Sequence, residues 1–448
     1  MLITNATVVT GETPNRVLPA HAVLLSGAHI REIGPAPKLE AAYPKARRLD
    51  ARRQLLMPGG ICAHTHFYST FSRGLAIPPP APRDLPEILE RLWWRLDRSL
   101  SEEDVRVSAQ TSLVDAIRHG TTTLFDHHAS PAFVDGSLDV IAEAVEQAGL
   151  RAVLCYEVTD RDGPGVADAG IKENVRFLKR LSANPSPHLA ASFGLHASLT
   201  LSGATLQACR AALPQGEGFH IHVAEHEQDE YDSMQKSNMR VVERLQNHGI
   251  LGEKTIAAHC VHVDAAEISL LKDTRTWVTH QPRSNMNNAV GAAPVESMLR
   301  AGIRVCLGND GFPNAMWDEW KAAYLLQKAV SRDPRRMDGV QVMQMAVSNN
   351  AALASAFFPG APVGRLVPGA VADLILVDYH SPTPLTTDNF PWHVVFGLQP
   401  SMVTTTIAAG RVLMKDRRLS MLDEARISAR ARELAPRVWK RFEDNTKS

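Results

Sequence analysis

A regular alternation of strand-like and helix-like segments constrains the fold of this chain more than any other feature. Between about residues 57 and 330 a new unit begins roughly every thirty residues. Eight strands alternating with helices predict an α/β protein with a (β/α)8 TIM barrel. An open doubly wound sheet is the alternative, but no Gly-x-Gly-x-x-Gly turn follows an early strand. The short apolar segments predicted as strands are 55–66, 121–128, 151–158, 191–198, 218–225, 255–263, 276–282 and 303–310.

The two ends of the chain differ from this middle region. Residues 1–56 and 365–420 contain short alternating segments bounded by turn residues, which is typical of β-strands. We predict that these two parts pair into a small β-sandwich domain beside a barrel formed by residues 57–364. The charged residues 421–448 predict a C-terminal helix.

Composition excludes several classes of partner. The chain has 448 residues and a net charge of zero, from 48 basic and 48 acidic residues. This balance predicts neither a nucleic-acid partner nor a membrane-surface partner. No apolar run approaches the roughly 18 residues that span a bilayer, and the amino terminus lacks a secretory signal pattern. We therefore expect a cytoplasmic location.

Histidines and carboxylates fall where the predicted barrel strands end. His64 and His66 are two residues apart, so they share one face of the first strand. A single histidine is more often a core or surface residue than a metal ligand. Potential ligands at four strand ends together, however, favour a metal site. Three histidines and one carboxylate are typical of zinc or iron(II) centres with positions open to water. The residues at these ends are His64, His66, His220, His222, Glu225, His259, His262, His280, Asn309 and Asp310.

These motifs resemble the amidohydrolase superfamily, in its cytosine-deaminase-like (ATZ/TRZ-type) mononuclear branch. Within that branch the chain is similar to the SsnA-type aminohydrolases, through Ser72-Arg73-Gly74 and the tryptophan-rich segment 92–98. The resemblance runs along nearly the whole chain. The motifs that carry the branch resemblance are Met57-Pro58-Gly59, His64-Thr65-His66, His222 with Glu225, Ala258-His259-Cys260-Val261-His262, Ser284-Asn285-Met286 and Gly308-Asn309-Asp310-Gly311.

The resemblance implies a ligand set and catalytic roles. It implies one divalent metal ion, zinc with iron as the alternative, held by His64, His66, His222 and Asp310. Glu225 is then the proton shuttle, His259 contacts the attacking water or the tetrahedral intermediate, and Asp310 accepts a proton. The fourth strand ends in Phe193-Gly194-Leu195-His196-Ala197, without the carbamylated lysine that bridges two metals in other branches. This argues for a single metal.

Candidate substrate contacts are less specific. Arg73 follows the first strand and could pair with a carbonyl or acidic substituent, although a surface arginine fits as well. Trp93 could form the wall of a flat pocket or belong to the core. His128 could contact the substrate or hydrogen-bond behind the site. Asn285 could contact the edge of a heterocycle or cap a turn.

Together these features predict a metal-dependent aminohydrolase that deaminates a purine- or pterin-like ring. One alternative is hydrolytic displacement of halide or alkylamine from a triazine-like ring, because an activated water attacks any electrophilic ring carbon. A second alternative is a non-catalytic metal-binding scaffold, which would have no need of Glu225. The expected partner is a small heterocyclic substrate, with no nucleic acid and no membrane, and family resemblance suggests a homodimer.

Overall fold

The computed structural model describes residues 1–360 and 362–445. Its strands, in chain order, are β1 Leu2–Val9, β2 Val17–Ser26, β3 His29–Pro35, β4 Arg48–Asp50, β5 Leu55–Pro58, β6 Gly60–Thr65, β7 Thr121–His128, β8 Arg151–Tyr156, β9 Leu189–Ala191, β10 Phe193–Ala197, β11 Phe219–Val223, β12 Ile256–His259, β13 Trp277–His280, β14 Val305–Leu307, β15 Leu374–Val377, β16 Val403–Ala408, β17 Arg411–Lys415 and β18 Arg418–Leu419.

The helices lie mostly between the central strands. In chain order they are α1 Ala36–Ala42, α2 Leu85–Ile88, α3 Trp94–Asp97, α4 Glu102–His119, α5 Ser137–Ala148, α6 Pro164–Ala183, α7 Gly203–Ala212, α8 Glu227–Ser237, α9 Val241–Asn247, α10 Ala265–Asp273, α11 Pro282–Asn287, α12 Val295–Ala301, α13 Met316–Ser331, α14 Gly339–Met343, α15 Asn350–Phe357, α16 Phe390–Phe396 and α17 Glu424–Asp444. Wider turns join α2 to α3 at Leu89–Trp93 and α14 to α15 at Gln344–Asn349. Shorter helical turns occupy Phe67–Ser72, Ser198–Thr200 and Pro400–Met402.

The central strands form two parallel sheets, so the predicted α/β class is confirmed. One sheet has the order β6-β7-β8-β9 and the other β10-β11-β12-β13-β14. Each of the eight predicted segments contains one of these strands, and the fourth also includes Ala191, the last residue of β9. Single parallel bridges join the sheets at both edges, between Thr65 and Asp310 and between Val158 and Leu195. The carboxyl ends of all these strands therefore lie on the same side.

Strands from both chain ends form a third sheet. It has nine strands in the order β18-β17-β16-β15-β5-β1-β2-β3, with β4 paired to β1. β15 runs antiparallel to β5, with Leu374 opposite Pro58 and Val377 opposite Leu55. The predicted pairing of the two ends is thus present. A buried ion pair between Arg151 of β8 and Asp373 connects this sheet to the parallel strands.

The predicted single strand at 55–66 is wrong, because this segment forms two strands in different sheets. β5 pairs with β1 and β15, whereas β6 pairs with β7. The break lies at Gly59, where an added Cβ would stand 2.3 Å from the Thr122 side chain. Only glycine allows this close approach. The expected domain boundary before residue 57 consequently falls inside β5.

Helix α4 begins and ends at the capping residues that the sequence contains. Ser101 and Asp104 form a capping box at the start of α4, and Gly120 ends the helix with a φ of 76°. Glycine adopts this left-handed conformation without the strain that a Cβ would cause. The C-terminal helix α17 packs through buried Leu434, Val438 and Phe442. The last three residues of the predicted 421–448 segment lie outside the described residues.

The interior is apolar, and the thiols lie within it. All five cysteines are buried as free thiols. Within residues 1–360 and 362–445, we find no helix that combines the length and the apolar character needed to cross a bilayer. The fully buried histidines of the described residues all lie in the parallel strands or directly after them.

Candidate metal centre and active site

The strand ends bring four of the predicted residues into one cluster. His66 Nε2 lies 2.9 Å from Asp310 Oδ1, and His64 Nε2 lies 3.8 Å from the same oxygen. His222 Nε2 lies 3.4 Å from His66 Nε2. β6 with the residue after it, β11, and the segment after β14 supply these side chains, so residues nearly 250 positions apart meet at one rim.

The backbone around this cluster adopts uncommon conformations. His259 and Asp310 have φ angles of 71° and 57°, and Ala224, beside Glu225, has a φ of 46°. Residues with a Cβ rarely adopt positive φ, and such strain gathers at functional sites. β14 also approaches β6 unusually closely, because a Cβ on Gly308 would stand 2.7 Å from the His64 backbone.

Hydrogen bonds behind the cluster determine where its imidazoles carry lone pairs. His66 Nδ1 lies 2.6 Å from the His127 carbonyl oxygen, and His222 Nδ1 lies 2.8 Å from that of His196. A carbonyl only accepts, so both rings donate at Nδ1 and direct Nε2 at the cluster. Two Nε2 atoms this close need a proton or a metal cation beside them. His64 Nε2 is also buried and finds no hydrogen-bond partner among the described residues.

The protonation states also suit a cation. Burial lowers the pKa of His64 and His222 well below the usual histidine value, so both rings are neutral. Burial opposes charge on His66 and Asp310 as well, but their mutual hydrogen bond outweighs it, raising the pKa of His66 to about 9 and lowering that of Asp310. Without a metal ion, His66 therefore keeps a proton on Nε2, and a bound cation would displace that proton and leave a neutral ring. Neutral imidazoles with one carboxylate are the donor set that a divalent metal ion prefers. These residues therefore fit such an ion.

A second carboxylate faces the cluster. Glu225 Oε2 lies 3.5 Å from His259 Nε2, and Glu225 Oε1 accepts a hydrogen bond from Asn288 at 3.2 Å. Burial, followed by the negative charge of Asp310, raises the pKa of Glu225 to about 8. The carboxyl is therefore mostly protonated at neutral pH and can donate a proton.

His259 has a defined orientation. Asn285 Nδ2 donates to His259 Nδ1 at 3.1 Å, which leaves the ring proton on Nε2. This Nε2 is buried and has no hydrogen-bond partner within the described part of the chain. Burial lowers the pKa of His259 to about 4, so the ring is neutral. His259 therefore presents a single N–H donor to the site.

Sequence reasoning gave no role to several groups that support the cluster. Glu157 Oε2 lies 3.1 Å from His127 Nδ1, and the His127 carbonyl accepts from His66. Ser284 Oγ donates to Asp310 Oδ2 at 2.5 Å. Glu157 directly follows β8, so its strand-end position was a signal that could have identified it. Ser284 lay inside a recognised motif, but its hydroxyl carried no signal of its own.

A cleft beside the cluster spans about 750 Å³, part of which is open solvent. Trp93 lines it, with its ring 6.2 Å from that of Tyr68. Three other predicted substrate contacts lie elsewhere. Asn285 is buried behind His259, and His128 Nε2 lies 2.8 Å from Ser130 Oγ. Arg73 lies partly exposed, 4.0 Å from Asp115.

Further along the cavity wall stands a buried ion pair. An oxygen of Asp97 accepts a hydrogen bond from Arg161, whose guanidinium lies over the Trp94 ring with Cζ 5.4 Å from the ring centre. Burial raises the pKa of Asp97 to about 6, against the opposing charge of Arg161. Asp97 Oδ1 is buried and unpartnered among residues 1–360 and 362–445.

Comparisons with known proteins agree with this geometry. The profile of the Amidohydrolase family matches residues 55–413. A 5-methylthioadenosine/S-adenosylhomocysteine deaminase of Pelotomaculum thermopropionicum is 33% identical over 447 residues, covering 98% of this chain and 99% of that protein. A 5'-deoxyadenosine deaminase of Methanosarcina mazei is 32% identical over 440 residues, with 97% of each chain covered.

Solved structures share the fold. A zinc-bound adenosine deaminase of Xanthomonas campestris superposes with a TM-score of 0.86 and 26% identity, over 98% of each chain. A zinc-bound atrazine chlorohydrolase of Arthrobacter aurescens gives a TM-score of 0.80 at 22% identity, over 97% of this chain and 100% of that one. At that identity the second likeness concerns the fold alone.

The chain belongs to the amidohydrolase family, as its motifs predicted. It is accordingly a hydrolase of carbon–nitrogen bonds other than peptide bonds.

Proposed function

We propose that this protein is a metal-dependent aminohydrolase that removes the exocyclic amino group of an adenine-like purine and releases ammonia. The observation that carries this proposal is the protonated Glu225 beside the N–H donor of His259, at the edge of a cluster suited to a metal. The names of the relatives point to adenine nucleosides as the substrate class. A scaffold would have no use for this pair of groups.

His64, His66, His222 and Asp310 are proposed as the ligands of one divalent metal ion, with zinc favoured over iron because a solved relative holds zinc. When bound, such an ion lowers the pKa of a water molecule and so supplies a nucleophile at neutral pH. His127 and His196 hold two of the ligand rings through their carbonyl oxygens. Contacts of this kind keep the lone pairs directed at the metal position.

The other residues of the site transfer protons or stabilise the charge that develops during the proposed reaction. Glu225 gives its proton to the ring nitrogen beside the attacked carbon, which makes that carbon more electrophilic. Asp310 accepts one proton of the attacking water. The carboxylate left on Glu225 takes the second proton from the added oxygen as the carbon–nitrogen bond breaks and gives it to the departing amine, which leaves as ammonia. The proton on Asp310 then restores the protonated Glu225. His259 stabilises the negative charge that develops on the oxygen through its Nε2–H. Asn285 is a positioning residue that holds this imidazole.

Trp93 is proposed as one wall for the flat ring, beside Tyr68. Arg73 and His128 stay predictions as substrate contacts, and their contacts in the fold assign them other neighbours. Asn285 contributes through His259, since its side chain amide is engaged there.

We also infer that the two parallel sheets form one (β/α)8 barrel over residues 57–364, supported by the bridges at both sheet edges and by the family's fold. The β-sandwich of residues 1–56 and 365–420 is proposed on the antiparallel pairing of β5 with β15. The helix expected at 421–448 completes this organisation. A homodimer and a cytoplasmic location stay predictions.

Ammonia release tests the proposed function. Metal-free protein is reloaded with zinc or with iron(II) and incubated with adenosine, 5'-deoxyadenosine, a pterin, a pyrimidine and a chlorotriazine. We expect ammonia and the 6-oxo product from the adenine nucleosides, and none from metal-free protein. Chloride release from the triazine without ammonia from any purine would favour the displacement alternative. Bound metal with no turnover of any compound would favour a scaffold.

A further inference from the structure

The short helix α11 places side chains against residues of the proposed mechanism. Ser284 and Asn288 are four residues apart, so they share one face of this helical turn. Ser284 donates a hydrogen bond to Asp310. Asn288 is 9% exposed, lines the cleft and donates a hydrogen bond to Glu225. One helical turn therefore contacts both carboxyl groups that exchange protons in the proposed mechanism.

The amide of Asn288 has a single orientation that satisfies its neighbours. The hydroxyl of Ser284 donates its one proton to Asp310, so it can only accept from Asn288. Asn288 Nδ2 lies 3.4 Å from this hydroxyl and 3.2 Å from Glu225 Oε1. Asn288 Oδ1 accepts from the Asn287 amide at 3.1 Å. Nδ2 is therefore the atom that faces Glu225, and the polar atoms of Asn288 are all engaged within the protein.

This contact makes the two oxygens of Glu225 different. A protonated carboxyl has one oxygen that only accepts and one that carries the proton, and an N–H donor binds the first more strongly. Asn288 donates to Oε1, so Oε1 is the accepting oxygen and the proton is on Oε2. Oε2 lies 3.5 Å from His259 Nε2, which carries its own proton, so the O–H bond of Glu225 is directed away from His259. The proton consequently faces the cleft that Glu225 lines.

We infer that Asn288 is a positioning residue that fixes the proton of Glu225 on Oε2, the oxygen that faces the substrate. The inference rests on the proposed function, in which Glu225 gives up this proton and later regains one. When the proton leaves, its bonding electrons stay on Oε2 and the negative charge spreads over both oxygens. The hydrogen bond from Asn288 then stabilises that charge at Oε1. Burial, followed by the charge of Asp310, raises the pKa of Glu225 to about 8, and this hydrogen bond opposes the rise.

Two replacements of similar shape test this role in the zinc-loaded full chain. Asn288→Leu removes the amide donor, so the proton of Glu225 can occupy either oxygen. Asn288→Asp supplies an acceptor instead, which draws the proton onto Oε1 and away from the substrate. With 5'-deoxyadenosine we expect kcat to fall about 2–10-fold in the first variant, as the loss of one hydrogen bond allows, and more than about tenfold in the second. KM should stay within about twofold, because the polar atoms of Asn288 are engaged with the protein and not with the substrate.

Met286→Asp is the matched control for the added charge. Met286 lies on the same helix but is 46% exposed, so its replacement adds a solvated carboxylate near the site. We expect kcat of this variant to stay within about twofold of the unmodified value, because solvent screens the new charge. A fall as large as that in Asn288→Asp would assign the effect to charge alone and contradict the inference.

An infrared band reports the position of the proton without turnover. The C=O stretch of the Glu225 carboxyl is identified as the band that Glu225→Gln removes, in zinc-loaded protein below the pKa of Glu225. A hydrogen bond to the C=O oxygen lowers its frequency, so we expect the band to move to higher wavenumber in Asn288→Leu and to stay in place in Met286→Asp. Denaturant unfolding checks that each variant is folded. An unmoved band in folded Asn288→Leu overturns the inference, and so does an unchanged kcat.

The two readouts separate this inference from the proposed function. Ammonia release with a normal kcat and an unmoved band in Asn288→Leu would support the function and refute the role of Asn288. A moved band without ammonia release by the unmodified protein would refute the function and support the placement of the proton on Oε2. If Glu225→Gln removes no band, Glu225 carries no proton and the inference is refuted at any rate of turnover.

Discussion

At the scale of single residues, the site depends on which nitrogen of each histidine carries a proton. His66 and His222 donate at Nδ1 to backbone carbonyls, so their Nε2 atoms face each other at 3.4 Å. Asn285 imposes the opposite tautomer on His259, whose Nε2 therefore donates. Hydrogen bonds at Nδ1 thus make two of these histidines proposed metal ligands and the third a proposed N–H donor.

Replacement of Glu225 should separate metal binding from turnover. Glu225→Gln keeps the shape but removes the proton, so we expect metal content to stay near the unmodified level and kcat to fall about 10²–10⁴-fold. Asp310→Asn, in contrast, should lower both metal content and kcat, because Asp310 contacts two proposed ligand rings. Metal analysis together with steady-state kinetics checks both variants. Normal turnover by Glu225→Gln would exclude it as the shuttle.

The pH dependence follows from the same carboxyl. The pKa of Glu225 is raised to about 8 by burial and then by Asp310, so the proton-donating form predominates below that pH and is lost above it. We expect kcat/KM to decline as pH rises through Glu225's pKa. A bound cation offsets the charge of Asp310, so in metal-loaded enzyme the decline should begin at or below about pH 8. A rate that keeps rising through pH 9 would contradict the assignment.

At the scale of secondary-structure elements, the site requires the end of β14 to approach β6 more closely than a side chain at position 308 would allow. Gly308 follows β14 at the point where an added Cβ would stand 2.7 Å from the backbone nitrogen and oxygen of His64. The contact is with backbone, which cannot rotate away. One missing methyl group therefore determines how near Asp310 comes to the histidines of β6.

Gly308→Ala should show the cost of separating these strands. We expect the free energy of unfolding to fall by about 1–3 kcal/mol and metal affinity to weaken, because the residue would push β14 away from His64. Gly165→Ala is the matched control, since a Cβ there meets nothing within 4 Å and the residue lies in α6. Denaturant unfolding and metal titration are the measurements. Equal stability of the two variants would show that the strands tolerate the shift.

At the scale of the whole molecule, the proposed ligands connect distant parts of the chain. His66, His222 and Asp310 belong to strands one, five and eight of the predicted barrel. A metal ion held by them would join both parallel sheets near the Thr65–Asp310 bridge. Metal should therefore stabilise the whole fold and not only the site.

Metal removal tests this coupling. Binding to the native state alone stabilises a protein by about 2.7 kcal/mol when free metal is a hundred times its Kd. We expect a chelator to lower Tm by several degrees and zinc to restore it. A His66→Ala/His222→Ala variant, lacking two proposed ligands, should show no change on chelation. A chelator effect of equal size in that variant would place the stabilising metal elsewhere.

Local patterns in the sequence were sufficient to predict much of the secondary structure and the candidate site residues. Strand positions followed from short β-branched runs, helix ends from Ser101, Asp104 and Gly120, and candidate site residues from their positions at strand ends. The family resemblance then selected the proposed ligands among them. These signals are local because hydrogen bonding and burial within a few residues produce them. A resemblance carried by motifs added the family, which the comparisons confirmed.

Other features arise only when distant segments pack together. The division of 55–66 between two sheets falls at Gly59, which packs against Thr122, and the Nδ1 protons of His66 and His222 are placed by carbonyls from β7 and β10. The raised pKa of Glu225 and the unpaired oxygen of Asp97 come from burial by residues remote in sequence. Spacing along the chain can therefore identify candidate ligands, but their protonation and the charge of the cavity are set by three-dimensional packing.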